Sequence, residues 1–419
     1  MQKIKKKYKT PKISNLPRGL SKKLVDEGLS YFEATISGFS ERYGRGETSH
    51  TIHVWWARRP HKAMRALIYA CLIKKPSEYH YDQMVDLCKS VNPPSSLLKE
   101  SRINIQDQYG VSPKVLDMFG GGGTIPYESL NLGADTYSID SNELSVFIQK
   151  CNLIYSQKVN VKNISNIIQS SGRKILKDLC IETQSIFPLR GSSQNKHSKE
   201  GPCTYLWTYK KKCRHCGFKF FLTKRPWLTK KKGNYKIVSF GHNSKEQIPK
   251  YKNVSTLNEY ISPWVKNKSS VVCPKCKSIT KNIKIDQCED YLIALVHSSR
   301  STGKIFSHPV KNSFPSKSML TRMENKLAKE LNIHIPRTFI PKWSGIMNPA
   351  LYGINTHSEF LAPRQRVVLL ILIKNLLLEF ARVKKQYDLN TAKYTIGALS
   401  SLIDQTIDWN CRLSMWIPQ

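Results

Sequence analysis

The chain has 419 residues, enough for two or three domains with a sizeable core. Its 67 Lys and Arg against 30 Asp and Glu give a formal net charge of +37, which points to a polyanionic partner, with nucleic acid the commonest. A hydrophobic share of 40% with 19 Tyr and 8 Trp argues for a folded protein, no apolar run approaches a membrane span, and the eleven cysteines, mostly scattered singly, suit a reducing cytoplasm better than a disulfide framework.

Residues 1–9 are basic without an apolar stretch and read as a solvated or phosphate-touching arm, not a secretory signal. An amphipathic helix is expected over 19–36 and a polar turn over 39–46. Residues 50–60, with Trp55-Trp56-Ala57-Arg58-Arg59-Pro60, lead into a helix that has Pro60 near its first turn, where a missing N–H costs nothing. Ala63, Met64, Leu67, Ile68 and Cys71 form its expected buried face. Residues 78–112 are polar and read as an insertion. Within them Asn92-Pro93-Pro94-Ser95 reads as a turn.

Val115 and Leu116 then give a short strand that stops at Asp117-Met118-Phe119-Gly120-Gly121-Gly122-Gly123-Thr124. A short helix follows, ended by Gly133, and the next strand closes on Asp140, about twenty residues beyond the glycines. Strand, glycine turn, helix, strand and acid are the parts of a nucleotide-binding βαβ unit. The run is not G-x-G-x-x-G. Its Asp-x-Phe-x-Gly-x-Gly-Thr form resembles motif I of the S-adenosylmethionine-dependent amino-methyltransferases that act on DNA. The candidate cofactor residues on this reading are Asp117 for an ammonium group, Phe119 beside the ligand, Gly121, Gly123 and Thr124 in the turn, and Asp140 for ribose hydroxyls. A helix is expected from 142 to about 156, and residues 157–200 show weak periodicity.

Residues 205–309 are β-rich and carry two Cys-x-x-Cys turns, Cys213/Cys216 and Cys273/Cys276. Each turn aims two sulfurs at one point, so the two together offer the four tetrahedral ligands of a structural zinc. The interval between the turns is long for a ribbon and implies an insertion. His215 lies inside its turn and is expected to point away. Lys210–Lys212 and the cations of 224–232, interleaved with Trp207, Phe218 and Trp227, suit either phosphate contact with stacking or a solvated face. Helices are expected at 316–331, 363–387 and 390–408.

Taken together these segments resemble the prokaryotic zinc-ribbon-containing adenine-specific DNA methyltransferases, nearly end to end and in order. The resemblance runs through Trp55–Pro60, the glycine run, Asp140, Tyr205 to Cys216, Cys273–Cys276, and Phe360-Leu361-Ala362-Pro363-Arg364-Gln365. It implies that Trp56 and Arg58 lie close to the cofactor. The resembling enzymes hold the target base with a Pro-Pro-aromatic motif that would come after Gln419. The expected fold is therefore α/β: a Rossmann-like S-adenosylmethionine-dependent methyltransferase sheet, incomplete within these residues, with an inserted zinc ribbon and a helical C-terminal segment. The expected domains are 1–160 for the cofactor-binding part, 161–204 as linker, 205–310 as ribbon and 311–419 as a helical, partner-docking segment. The expected function is DNA adenine N6-methylation by one half of a split enzyme. Its partners would be DNA and a second polypeptide, with no membrane, and the usual setting of the family is restriction or phage defence. The alternative is a non-catalytic nucleic-acid-binding subunit derived from the same fold.

Overall fold

The computed structural model describes residues 23–27, 29–43, 53, 55–57, 59–187, 204–231, 234–256, 261–265, 270–299, 303–309, 314–341 and 348–417. The basic arm at 1–9 and Arg58 lie outside these. The fold is mixed α/β. It divides into two compact units, one of residues 1–174 with 376–406 and one of 175–375 with 407–419, so the expected helical segment at 311–419 contributes to both.

The first unit opens with a short 3-10 turn and helix α1 (Leu29–Tyr43), which runs through residues expected to form a polar turn. Helices α2 (His61–Leu72), α3 (Glu78–Lys89) and α4 (Ser95–Tyr109) follow. The stretch expected as an insertion is thus two helices. Met84, Leu87, Cys88 and Ile105 place them in the main core with Ala66, Tyr69, Ala70 and Leu132. Residues 92–94 form the bend before α4, as expected.

The buried face of α2 also differs from expectation. Cys71 is exposed and Met64 half-buried, whereas His61 and Arg65 are buried. The reason is Glu128, itself fully buried. It accepts from His61 Nδ1 at 2.6 Å and from Arg65 Nε at 2.7 Å. The other four N–H groups of Arg65 reach the carbonyls of Leu87, Ser90 and Val91 and Glu128 Oε1 again, so all five guanidinium donors are satisfied. Glu41 of α1 accepts from the backbone N–H of His61 and Lys62, capping a helix whose start has only Pro60 before it.

Strand β1 (Lys114–Asp117), helix α5 (Thr124–Asn131) and strand β2 (Asp135–Ser138) form a βαβ unit in which β1 and β2 pair in parallel, Leu116 opposite Tyr137. Val115 faces the core; Leu116 and Tyr137 on the other face are 58% and 57% exposed, and Met118 and Ile139 beyond the strand ends are exposed too. Helix α6 (Glu143–Gln149) passes into a π-helical turn (Lys150–Tyr155) and then α7 (Ile164–Glu182), whose regularity weak sequence periodicity did not announce.

In the second unit β3 (Thr204–Lys212), β4 (Lys219–Phe221), β10 (Glu289–Ser299) and β11 (Gly303–Ser307) make an antiparallel sheet in the order β11-β10-β3-β4. A meander of β5 (Trp227–Lys231), β6 (Asn234–His242) and β7 (Gln247–Val254) packs on it through Leu228 and Val238 against Ile293, Ala294 and Val296. The hairpin β8 (Val271–Val272) and β9 (Ile279–Thr280) carries the second cysteine pair.

Helices α8 (Lys317–Glu330), α9 (Pro363–Gln386), α10 (Leu389–Ser400) and α11 (Leu402–Asn410) complete the structure. Part of the long apolar stripe of α9, expected to leave surface for a partner, is used internally. Val367 and Ile371 join Ile186 and Leu320 in one cluster, and Val383 joins Ile167 and Ala392 in another; Leu377 and Leu378 remain exposed. Among the described residues no helix is long and apolar enough to cross a membrane.

Candidate cofactor loop and metal centre

The glycine run is a tight turn between β1 and α5, closed by Gly123 N–H donating to Gly120 O at 2.8 Å. Gly121 (φ 50°) and Gly123 (φ 84°) are left-handed, a conformation that costs other residues strain. Gly120 is required by space instead, because a Cβ there would meet Ser138 Oγ at 2.2 Å and Gln149 Nε2 at 2.6 Å.

The peptide groups flanking Gly121 are held from both sides. Its N–H donates to Asp140 Oδ2 at 2.8 Å, and its carbonyl accepts from Ser145 Oγ at 2.6 Å and Gln149 Nε2 at 3.3 Å. Asp140 Oδ1 also accepts from Asn142 N–H. These two backbone donors, of Asn142 and Gly121, hold the Asp140 carboxyl below its usual range. Asp117 Oδ1 accepts from Phe119 N–H at 3.1 Å. A carboxylate has about four acceptor positions, so both acids keep capacity for a ligand.

The structure therefore brings Asp117, Gly121, Gly123, Thr124 and Asp140 together at one turn. Phe119 stands out in solvent at 86% exposure. Trp56 is 83% exposed, and it is its neighbour Trp55 that lies along the loop, with Nε1 at 2.8 Å from where a Gly121 Cβ would be. Adjacent identical residues gave sequence reasoning no means of choosing between them. It missed Ser145 and Gln149 as well; both sit on α6 four residues apart, a helical spacing that could have been noticed.

The two cysteine turns meet. All four sulfurs lie within 4.8 Å of one another, with Cys213 to Cys276 and Cys216 to Cys273 each at 3.7 Å. Tetrahedral zinc with Zn–S bonds of about 2.3 Å needs sulfurs about 3.8 Å apart. The set fits a structural metal ion, and four thiolates suit zinc and leave no open position. The turns are built alike. Cys213 N–H reaches Phe218 O and Cys273 N–H reaches Ser278 O, while Gly217 and Lys277 bond back to the carbonyls of Cys213 and Cys273. The Ser278 hydroxyl and backbone lower the Cys276 thiol pKa, whereas burial raises that of Cys273. His215 takes no part in the cluster.

The basic surface beside this centre is smaller than the sequence suggests. Lys210 and Lys211 are buried, Lys210 pairing with Glu246 at 2.5 Å, and Phe218 belongs to the core around the cysteines. Lys212, Arg214, Lys224 and Arg225 are exposed.

One family, described as "Protein of unknown function (DUF1156)", matches residues 36–91. That stretch contains Glu41, Trp55, His61, Arg65 and the carbonyls of Leu87, Ser90 and Val91 that Arg65 binds. No curated protein and no solved structure matches the chain.

Proposed function

We propose that this chain is the S-adenosylmethionine-binding and zinc-ribbon part of a DNA adenine N6-methyltransferase, active with a second polypeptide that supplies the Pro-Pro-aromatic motif. The reading fits a Rossmann-like cofactor sheet, and one observation carries it: the state of the glycine loop. The N–H groups of Phe119, Gly120, Gly121 and Gly123 are all bonded inside the protein, and Pro126 has none to offer. Four of the loop's donors are thus spent within the protein, fewer remaining for a pyrophosphate than an open anion nest would offer a dinucleotide. A cofactor with an ammonium group and a ribose, but no phosphate, suits two acids at the rim of such a loop. Asp117 would hold the ammonium group, Asp140 the ribose hydroxyls, and Trp55 the apolar side. When bound, S-adenosylmethionine supplies an electrophilic methyl group.

Calorimetry tests this. Asp140→Ala should weaken S-adenosylmethionine binding about tenfold to a hundredfold, the worth of a hydrogen bond to a charged group. Gly121→Val should do worse, since its Cβ would meet both a left-handed backbone and Trp55. Unchanged affinity in Asp140→Ala sinks the reading.

The second polypeptide is supported by the sheet. Among the described residues the parallel sheet has two strands, β1 and β2, and bares Leu116 and Tyr137. Two strands are marginal alone, and further strands with their helices would cover that face. The purified chain is expected to transfer no tritiated methyl group to DNA until the second polypeptide is added. Robust methylation by the chain alone, abolished by Asn92→Ala, would overturn the split arrangement. A non-catalytic nucleic-acid-binding subunit is the second reading, favoured by the +37 charge; it predicts DNA binding without affinity for S-adenosylmethionine.

A further inference from the structure

The second unit holds a cavity of about 640 Å³, within the range of small-ligand sites. The first turns of two helices line it, α8 at Lys317 and α9 at Pro363 and Arg364. Both helices point their positive ends at the same space.

Arg364 is the central group. It is 9% exposed, and its Nε is buried with no hydrogen-bond partner. The guanidinium lies on the Trp207 ring, 3.3 Å from the centroid, and Trp207 meets Phe314 edge-on at 5.4 Å. Its one carboxylate partner is shared: Asp290 accepts from Arg364 Nη1 at 3.3 Å and from Arg412 at 2.9 Å and 3.2 Å. Burial lowers the Arg364 pKa to about 10. An orphaned cationic donor in a roomy cavity is costly unless an anion completes it.

The lining also holds the carboxylates of Asp286, Glu289 and Glu359, so the orphaned Arg364 donor and the two helix ends, not net charge, are what favour an anion. Arg366 is matched by Glu324, and Glu359 spends Oε2 on the N–H groups of Asn355 and Thr356. Asp286 and Glu289 also line the cavity and are exposed, so they can accept from the hydroxyl or amine donors of a ligand.

We propose that this cavity binds a nucleotide through its phosphate, held by Arg364 with Lys317, the base lying along the wall of Trp207 and Phe314. The site stands on the second unit alone and is independent of cofactor binding in the first. The phosphate has two sources, a free 5′-nucleotide or the backbone of a DNA strand.

The test titrates the full chain with dAMP, with deoxyadenosine, and with a dodecamer lacking terminal phosphates, at fixed salt. Binding of dAMP but not deoxyadenosine, weakened tenfold or more in Arg364→Gln, supports the site. Lys317→Glu alters an exposed residue that leaves the Asp290 pairing intact, and it should weaken dAMP similarly, which guards against misfolding of the first variant. Displacement of dAMP by the dodecamer assigns the site to strand phosphates; failure to displace assigns it to free nucleotides. Deoxyadenosine binding as tightly as dAMP, absence of dAMP binding, or equal dAMP affinity in wild type and Lys317→Glu overturns the proposal.

Discussion

Stripping the metal from the four-cysteine centre is expected to unfold the segment around it while the βαβ unit keeps its structure. The local core is small, with Cys213, Phe218, Phe220, Leu222, Val271, Cys273 and Ile283 buried, and two of the buried residues are the candidate ligands themselves. The hairpin that presents Cys273 and Cys276 has strands of two residues each. Such a piece cannot offset its chain entropy alone. Structural zinc sites contribute about 10–16 kcal/mol in small zinc-finger peptides, larger than any other single term available here. Metal analysis should find about one zinc per chain, and Cys276→Ser should lose it together with hydrogen-exchange protection at Phe220 and Val271. Stoichiometric zinc surviving in a Cys213→Ser/Cys276→Ser double variant would show that other residues are the ligands.

Glu128→Ala should destabilise the first unit by about 3–5 kcal/mol, the usual cost of breaking a buried ion pair from one side. The substitution leaves Arg65 buried with three carbonyls but no counter-charge, and it removes the acceptor of His61 Nδ1. Because α5 begins at the glycine turn, cofactor affinity should fall with stability. Removing both charges in Glu128→Ala/Arg65→Met should cost less than the sum of the two single changes. Urea midpoints measure all three variants. A shift of less than about 0.5 kcal/mol in Glu128→Ala, the range of an ordinary surface change, would mean the pair carries no weight.

The glycine turn and the cysteine turns were legible in the sequence because each is specified within a few neighbouring residues. A left-handed turn needs glycine where it occurs, and a metal knuckle needs its two sulfurs three residues apart. Arg65 was not legible as a core residue, since its partner Glu128 lies 63 positions on and a lone arginine on a helix reads as surface. Lys210 misled for the same reason, its carboxylate being Glu246, 36 positions away. Helices α3 and α4 were hidden by polar residues outnumbering Met84, Leu87, Cys88 and Ile105, because a helix buried along one narrow stripe needs few apolar positions. Both strands of the parallel sheet were legible too, as the flanks of the glycine turn and its helix.

The meander of β5, β6 and β7 lies wholly between Cys216 and Cys273, residues that one metal ion would tie together. Closing a loop becomes only about 0.6 kcal/mol harder each time its length doubles. The long interval between the two cysteine turns therefore adds little entropic cost to a metal clasp that brackets it. The clasp thus frames a panel that carries its own core, through Leu228 and Val238, apart from the core around the cysteines.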